Sequence, residues 1–172
     1  MAGIKRAAKA LYGIGRLTLT GGEPTLHPLL LEFLPQLREL FGCSSLEIET
    51  NGMVSQEVIL ALNSFDVVAV TRYGPPRFES NEKEIEAIER AVDPSKLRID
   101  ASIVTHIPRS HRGNRGCVRG AGITVSVYKD RVYPCCMGWG IHSSQSVHLS
   151  ETWEKDVIAL PRPCGDCFFA NN

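Results

Sequence analysis

Residues 17–28 read LTLTGGEPTLHP, a strand-like stretch that runs into two glycines, an acid and a proline. Leu17 and Leu19 alternate with Thr18 and Thr20, which is the period of a strand. Gly21 and Gly22 then remove side chains where that strand leaves its sheet, so the backbone there tolerates positive φ and lets a ligand come close. Glu23 sets an anion beside the opening. A carboxylate with free carbonyls at a strand end suits an ammonium group, whereas a phosphate calls for N–H donors and a basic residue. Taken alone, the same residues serve a tight βα turn equally well.

The flanking sequence places this turn in a repeating pattern. Ile4, Ala7, Ala8 and Leu11 recur at helical spacing, and Gly13 and Gly15 close that helix ahead of a strand over 16–20. After the turn, Pro28 suits a first helical turn. Leu30, Phe33, Leu34, Leu37, Leu40 and Phe41 form one apolar face closed by Gly42, with Pro35 predicting a kinked or shortened helix. The spacing then predicts a strand over 46–50, a helix over 56–62, a strand over 67–71, a helix over 82–92 and a strand over 97–105. Asn81 and Glu84 read as the capping box of the helix over 82–92.

Four strands separated by helices imply right-handed crossovers and a parallel sheet whose functional edge lies at the strand carboxyl ends. Two further ends carry the same kind of signal as the glycine turn. Glu49-Thr50-Asn51-Gly52 and Thr71-Arg72-Tyr73-Gly74 each set hydrogen-bonding side chains ahead of a glycine, where one ligand can meet all three ends.

The alternation stops near His106. Residues 1–107 therefore read as a βα core and 108–172 as a small cysteine-rich extension. The extension contains a hairpin over 123–128 and 131–133 around Lys129-Asp130, and a short helix over 151–158. The basic loop from His106 to Arg119 interleaves no aromatic residue for base stacking and reads as a solvated loop. His27 reads as part of a helix start, and Trp139 and Trp153 as core or cover.

At 172 residues, 43% hydrophobic and with zero formal net charge, the chain can bury a core and has no global field to draw it to nucleic acid or an acidic membrane surface. No run approaches the roughly 18 apolar residues of a membrane span. The expectation is a cytoplasmic protein that binds neither membrane nor nucleic acid. Six cysteines without a signal peptide shift the reading from a disulfide scaffold toward metal or redox chemistry, and five of them follow residue 116. A CxxC at Cys164 and Cys167 brings two sulfurs to one centre, the hairpin end at Cys135-Cys136 brings a third, and Cys117 a fourth. Four thiolates suit zinc or an iron–sulfur cluster. Zinc ribbons usually offer two CxxC knuckles, and this sequence has one. Cys43 follows a helix end and reads as an inert thiol.

LTLTGGEPTLHPLLLEFLPQLRELF followed by IETNG resembles the radical S-adenosylmethionine (radical SAM) superfamily, over residues 1 to about 105. The resemblance implies a partial (β/α) barrel of about four parallel strands. It implies that Gly21, Gly22, Glu23 and Pro24 hold the methionyl amino group of the cofactor, and that Asn51 helps position it. VVAVTRYG is similar to the family strand that carries a ribose contact, which falls on Thr71 or Arg72. In the family, a CxxxCxxC loop after the first strand holds an activating four-iron cluster, and a 5′-deoxyadenosyl radical abstracts hydrogen from substrate. These 172 residues contain no CxxxCxxC. The expectation is an N-terminally truncated core that is inactive alone, its strand and cluster loop missing either through a late start in the gene model or because another chain supplies them, and that binds S-adenosylmethionine once complemented.

KDRVYPCC, ETWEKD and PCGDC together resemble the auxiliary-cluster (SPASM or twitch) extension that follows many radical SAM cores. Asp130 stands where that pattern has glycine, a mild departure because Asp tolerates turn conformations. The resemblance implies one auxiliary 4Fe–4S cluster on Cys117, Cys135, Cys164 and Cys167, with Cys136 as an alternative ligand and zinc as the alternative metal. Many relatives with this extension modify peptides or proteins, so a peptide or protein is the expected substrate. The rival expectation is a non-catalytic module, a degenerate core whose iron–sulfur or zinc site binds a protein or peptide partner.

Overall fold

The computed structural model describes residues 2–20, 23–74, 79–101, 126–128, 131–133, 146–150, 152–153 and 155–156. Two compact units divide the chain, one formed by Leu11–Ile103 and the other by Met1–Ala10 with Val104–Asn172.

The unit formed by Leu11–Ile103 is a four-stranded parallel sheet with strands in chain order, β1 (Arg16–Leu19), β2 (Ser45–Thr50), β3 (Val67–Arg72) and β4 (Leu97–Ala101). Leu46, Ile48, Val68 and Val70 alternate with Glu47, Glu49, Ala69 and Thr71, so one sheet face is apolar and the other largely polar. The register keeps each set together. Leu17 stands beside Leu46, Ile48 beside Val68 and Val70 beside Ile99, while Thr18 pairs Glu47 and Thr71 pairs Asp100. With neighbouring strands parallel and consecutive, right-handed crossovers put the connecting helices on one face. Those helices are α2 (Leu30–Phe41), α3 (Gln56–Ala61) and α4 (Glu82–Ala91).

The core lies between that face and the helices. Ile48, Val68 and Val70 are fully buried with Leu37 of α2, Leu62 and Phe65 after α3, and Ile85 and Ile88 of α4. Each such side chain contributes about 1.5–3 kcal/mol by leaving water. Pro35 does not shorten α2, which runs unbroken to Phe41. The bond Pro35 cannot make belongs to the carbonyl of Leu31, an exposed residue where water can solvate that oxygen, while Leu34, Leu37 and Phe41 beyond it are buried. Gly42 ends the helix at φ 57°, its amide donating to the Glu39 carbonyl. His27 starts it, its Nδ1 accepting the Leu29 amide at 3.2 Å and its ring meeting Phe33 edge-on at 5.4 Å.

At the amino ends of β2 and β3, Asp66 closes the sheet. Its Oδ2 accepts the Leu46 amide at 2.8 Å and pairs with Arg38 at 2.7 Å. The Leu46 amide, and after it the Arg38 guanidinium, hold the Asp66 carboxyl below the usual carboxylate range.

In the second unit, helix α1 (Ala2–Ala10) ends on a carbonyl, that of Ala10, which accepts the indole N–H of buried Trp153 at 2.9 Å. The expected hairpin is present as β5 (Ser126–Tyr128) and β6 (Arg131–Tyr133), antiparallel with Tyr128 opposite Arg131. A third strand, β7 (Val147–His148), pairs with β6. Arg131 fastens it, donating to the Ser146 hydroxyl and carbonyl. Of the short helix expected over 151–158, the described residues show one helical bond, from the Asp156 amide to the Thr152 carbonyl. Among the described residues no helix is long and apolar enough to cross a membrane.

Candidate functional site

One carboxylate, that of Glu23, joins the turn after β1 to the carboxyl end of β2. Glu23 caps a 3₁₀ turn, Pro24–Leu26, and accepts the Thr25 amide at 3.0 Å. The same oxygen, Oε1, takes the Thr25 hydroxyl at 2.6 Å and the Thr50 hydroxyl at 2.8 Å. Oε2 takes the backbone amide of Asn51 at 2.6 Å. The Thr25 hydroxyl has one proton, and it also lies 3.0 Å from the carbonyl of Met53, which it shares between the two acceptors. Glu23 therefore ties the turn after β1 to the end of β2. Pro24, which lacks an amide, occupies the first position of the 3₁₀ turn, where no partner for that amide exists.

The end of β2 is itself a tight turn. Thr50 is buried and accepts the Gly52 amide at 3.0 Å, while the Asn51 side-chain oxygen accepts the Met53 amide at 2.9 Å. Gly52 sits at φ 86°, and a Cβ there would stand 3.2 Å from the Cβ of Glu84. Gly52 is thus required twice, by its backbone conformation and by the closeness of α4.

A third residue joins these ends. Buried Asn81 precedes α4 and receives the Tyr73 amide on Oδ1 at 2.7 Å. Its amide nitrogen donates to the Asn51 carbonyl at 2.7 Å and to the Thr71 carbonyl at 2.8 Å. The capping box expected of Asn81 and Glu84 is absent, since the Asn81 side chain makes no capping bond to α4 and turns to the strand ends instead. Of the two residues expected at the third strand end, Arg72 is engaged by Glu82 at 2.9 Å. Thr71 lies half-buried on the sheet face that carries Glu47 and Glu49, in register with Asp100.

Of the residues expected to hold a ligand, Glu23, Pro24, Asn51 and Thr71 are gathered at one end of one sheet. Gly21, Gly22 and all the candidate metal ligands, Cys117, Cys135, Cys136, Cys164 and Cys167, lie outside the described residues, as do Trp139 and the basic loop from His106 to Arg119. Among the described residues no cluster of metal-ligating side chains occurs. Cys43 is buried, and burial pushes its thiol up, away from the thiolate that ligates or attacks. Sequence reading missed Thr25 and Asn81. Thr25 carries a weak signal, a hydroxyl two residues after an acid in a turn, whereas Asn81 signalled only a helix cap.

Chemically, the arrangement suits a small cation. A carboxylate offers about four lone-pair directions. Among the described residues three donors crowd Oε1 and one reaches Oε2, which leaves Oε2, counted over those residues, with acceptor capacity for one further N–H donor. Elsewhere, a groove of about 410 Å³ lined by Gln56, Ile59, Ala87, Arg90 and Ala91 contains none of these residues.

The fold has known counterparts. BtrN in complex with AdoMet and 2-DOIA matches 92% of this chain and 68% of its own with a TM-score of 0.66 at 18% identity. BtrN in an open conformation matches with a TM-score of 0.62, covering 92% and 66% of the two chains at 18% identity. The chain thus has the α/β, radical SAM-like fold built on a four-strand parallel sheet. In sequence it is 32% identical over 97 residues to a probable GTP 3′,8-cyclase of Saccharolobus islandicus (strain M.14.25 / Kamchatka #1), covering 54% of this chain and 31% of that protein. It is 29% identical over 91 residues to molybdenum cofactor biosynthesis protein 1 of Bos taurus, covering 47% and 14%. The chain spans less than a third of the length of the curated relatives it matches. No protein-family model matches it.

Proposed function

We propose that this chain is a radical SAM-type protein that grips the amino acid end of S-adenosylmethionine at the carboxyl ends of β1–β3. The observation that carries this reading is the bonding of Glu23 to both Thr50 and the Asn51 amide, which sets one carboxylate between the turn after β1 and the end of β2. In this reading Gly21 and Gly22 admit the methionyl ammonium to the backbone, and Glu23 accepts one of its protons on Oε2. Pro24 fixes the turn that aims the carboxylate. Asn51 lines the adjoining end of β2, and Thr71 meets the ribose from its face of β3.

Bound to a reduced four-iron cluster, S-adenosylmethionine supplies a radical that abstracts hydrogen from substrate. Because these 172 residues contain no CxxxCxxC, none of them is assigned to that reductive step. The C-terminal extension binds one auxiliary 4Fe–4S cluster through Cys117, Cys135, Cys164 and Cys167, and a peptide or protein is its expected substrate class.

The grip so proposed binds the amino acid end of S-adenosylmethionine without the complementing cluster loop, which only cleavage requires. Anaerobic reconstitution of the chain followed by metal analysis and titration with S-adenosylmethionine therefore tests both halves. The expected result is about four irons per chain and saturable binding that Glu23→Gln weakens about tenfold, the effect of removing one charge-assisted hydrogen bond. One zinc per chain without iron overturns the cluster. Binding that is unchanged in Glu23→Gln overturns the grip.

A further inference from the structure

We infer that Asn81 is a positioning residue that sets the spacing between the carboxyl ends of β2 and β3, and through it the geometry with which Asn51 and Thr71 meet one ligand. This rests on the reading of those ends as the S-adenosylmethionine site. The sequence assigns Asn81 to capping α4, and its backbone does that work, since its carbonyl accepts the Ile85 amide at 3.0 Å. Its side chain is committed elsewhere. One amide group bonds to Asn51, Thr71 and Tyr73 at 2.7, 2.8 and 2.7 Å, and the residue is only 8% exposed.

The orientation of that amide is fixed by its partners. The Tyr73 amide can only donate, so it faces Oδ1, and the two carbonyls can only accept, so they face the nitrogen. Bonded to both Asn51 and Thr71, the nitrogen draws the two carbonyls toward one point just past the last β2–β3 pair, Thr50 and Val70. β2 and β3 are already paired up to Thr50 and Val70, so this bridge extends their fixed spacing beyond the ladder into the ligand-facing turns.

This geometry distinguishes the bridge from a cap. Asp caps helices as well as Asn does, so a capping residue tolerates Asn81→Asp. The bridge does not, because Asp has the same shape but faces two carbonyl oxygens with a third acceptor. The test compares Asn81→Ala and Asn81→Asp with wild type for S-adenosylmethionine affinity in the anaerobically reconstituted chain and for urea midpoint. Asp66→Ala, at the opposite end of the same strands, serves as a control for lost stability.

The expected result is that both Asn81 variants weaken binding about tenfold, the loss of a buried donor's bonds. Asp should be no better than Ala, while Asp66→Ala lowers the urea midpoint and leaves affinity unchanged. An Asp variant that matches wild type in both readouts overturns the bridge. Lowered midpoints with unchanged affinity overturn the positioning role. Failure of wild type to bind S-adenosylmethionine overturns the site reading and the ligand role together, while the stability order of Ala and Asp still judges the bridge by itself.

Discussion

Glu23 and Asn51 stand 28 residues apart in sequence, yet the Asn51 amide donates to Glu23 Oε2 across 2.6 Å. A charged acceptor on a backbone amide makes a short, strong bond, and here it joins the turn after β1 to the turn after β2. Glu23 thus shapes the site as well as charging it. Replacing it with Gln keeps the size but puts an NH₂ group where either the Asn51 amide or the Thr25 and Thr50 hydroxyls now donate. Glu23→Gln should cost about 1–3 kcal/mol of unfolding free energy, the penalty of leaving a part-buried donor unmet. Urea unfolding at neutral pH measures it, and a variant as stable as wild type would show that these bonds hold nothing together.

Gly52 and Gly13 provide a matched pair. Both adopt positive φ, 86° and 84°, but a Cβ at Gly52 meets Glu84 at 3.2 Å while a Cβ at Gly13 meets nothing within 4 Å among the described residues. Gly13→Ala should therefore show the conformational cost alone, about 1–2 kcal/mol. Gly52→Ala should cost more, because α4 must also shift. Equal losses in urea midpoint would mean that α4 gives way freely at this contact.

The sheet was legible in the sequence because its alternation is strict. Leu46 and Ile48, and Val68 and Val70, face the core in the order the period of two requires. The hairpin at Tyr128 and Arg131 was legible from its turn residues, whereas β7 is two residues long and has no period to read. Glu23, Asn51 and Thr71 could be placed at strand ends because a βα pattern fixes where strands end. The bonds among them could not be read. Asn81 has the local signature of a cap, and only the arrival of two carbonyls, 10 and 30 residues earlier in the chain, draws its side chain off the helix. Pro35 misled for the opposite reason, since the local cost of a proline was outweighed by burial of the apolar residues beyond it.

Cys43 should differ from a ligand cysteine in its reactivity. It is 5% exposed, and burial raises its pKa, so thiolate is scarce and access poor. Alkylation of the native chain followed by peptide mass mapping should leave Cys43 unmodified on a timescale that labels it fully in urea. Rapid native labelling would show that the end of α2 opens readily.

Asp66 makes the stability of the sheet depend on pH at its amino end. Its folded pKa lies below the unfolded value of about 4, first because of the Leu46 amide and then because of Arg38. Its contribution is therefore complete above the unfolded pKa. It falls away as pH drops through the lower folded value, and it is gone once both states hold the proton. The Asp66 side chain is 45% exposed, so the pairing with Arg38 is worth about 0.5–1 kcal/mol at neutral pH. Asp66→Asn keeps an oxygen for the Leu46 amide but removes the charge. Its deficit should be about that size at pH 7, shrink below about pH 4 and vanish at the acid extreme. Urea titrations of both proteins across that range measure the difference, and a deficit that stays constant down to the acid limit would assign the loss to packing rather than to the carboxylate.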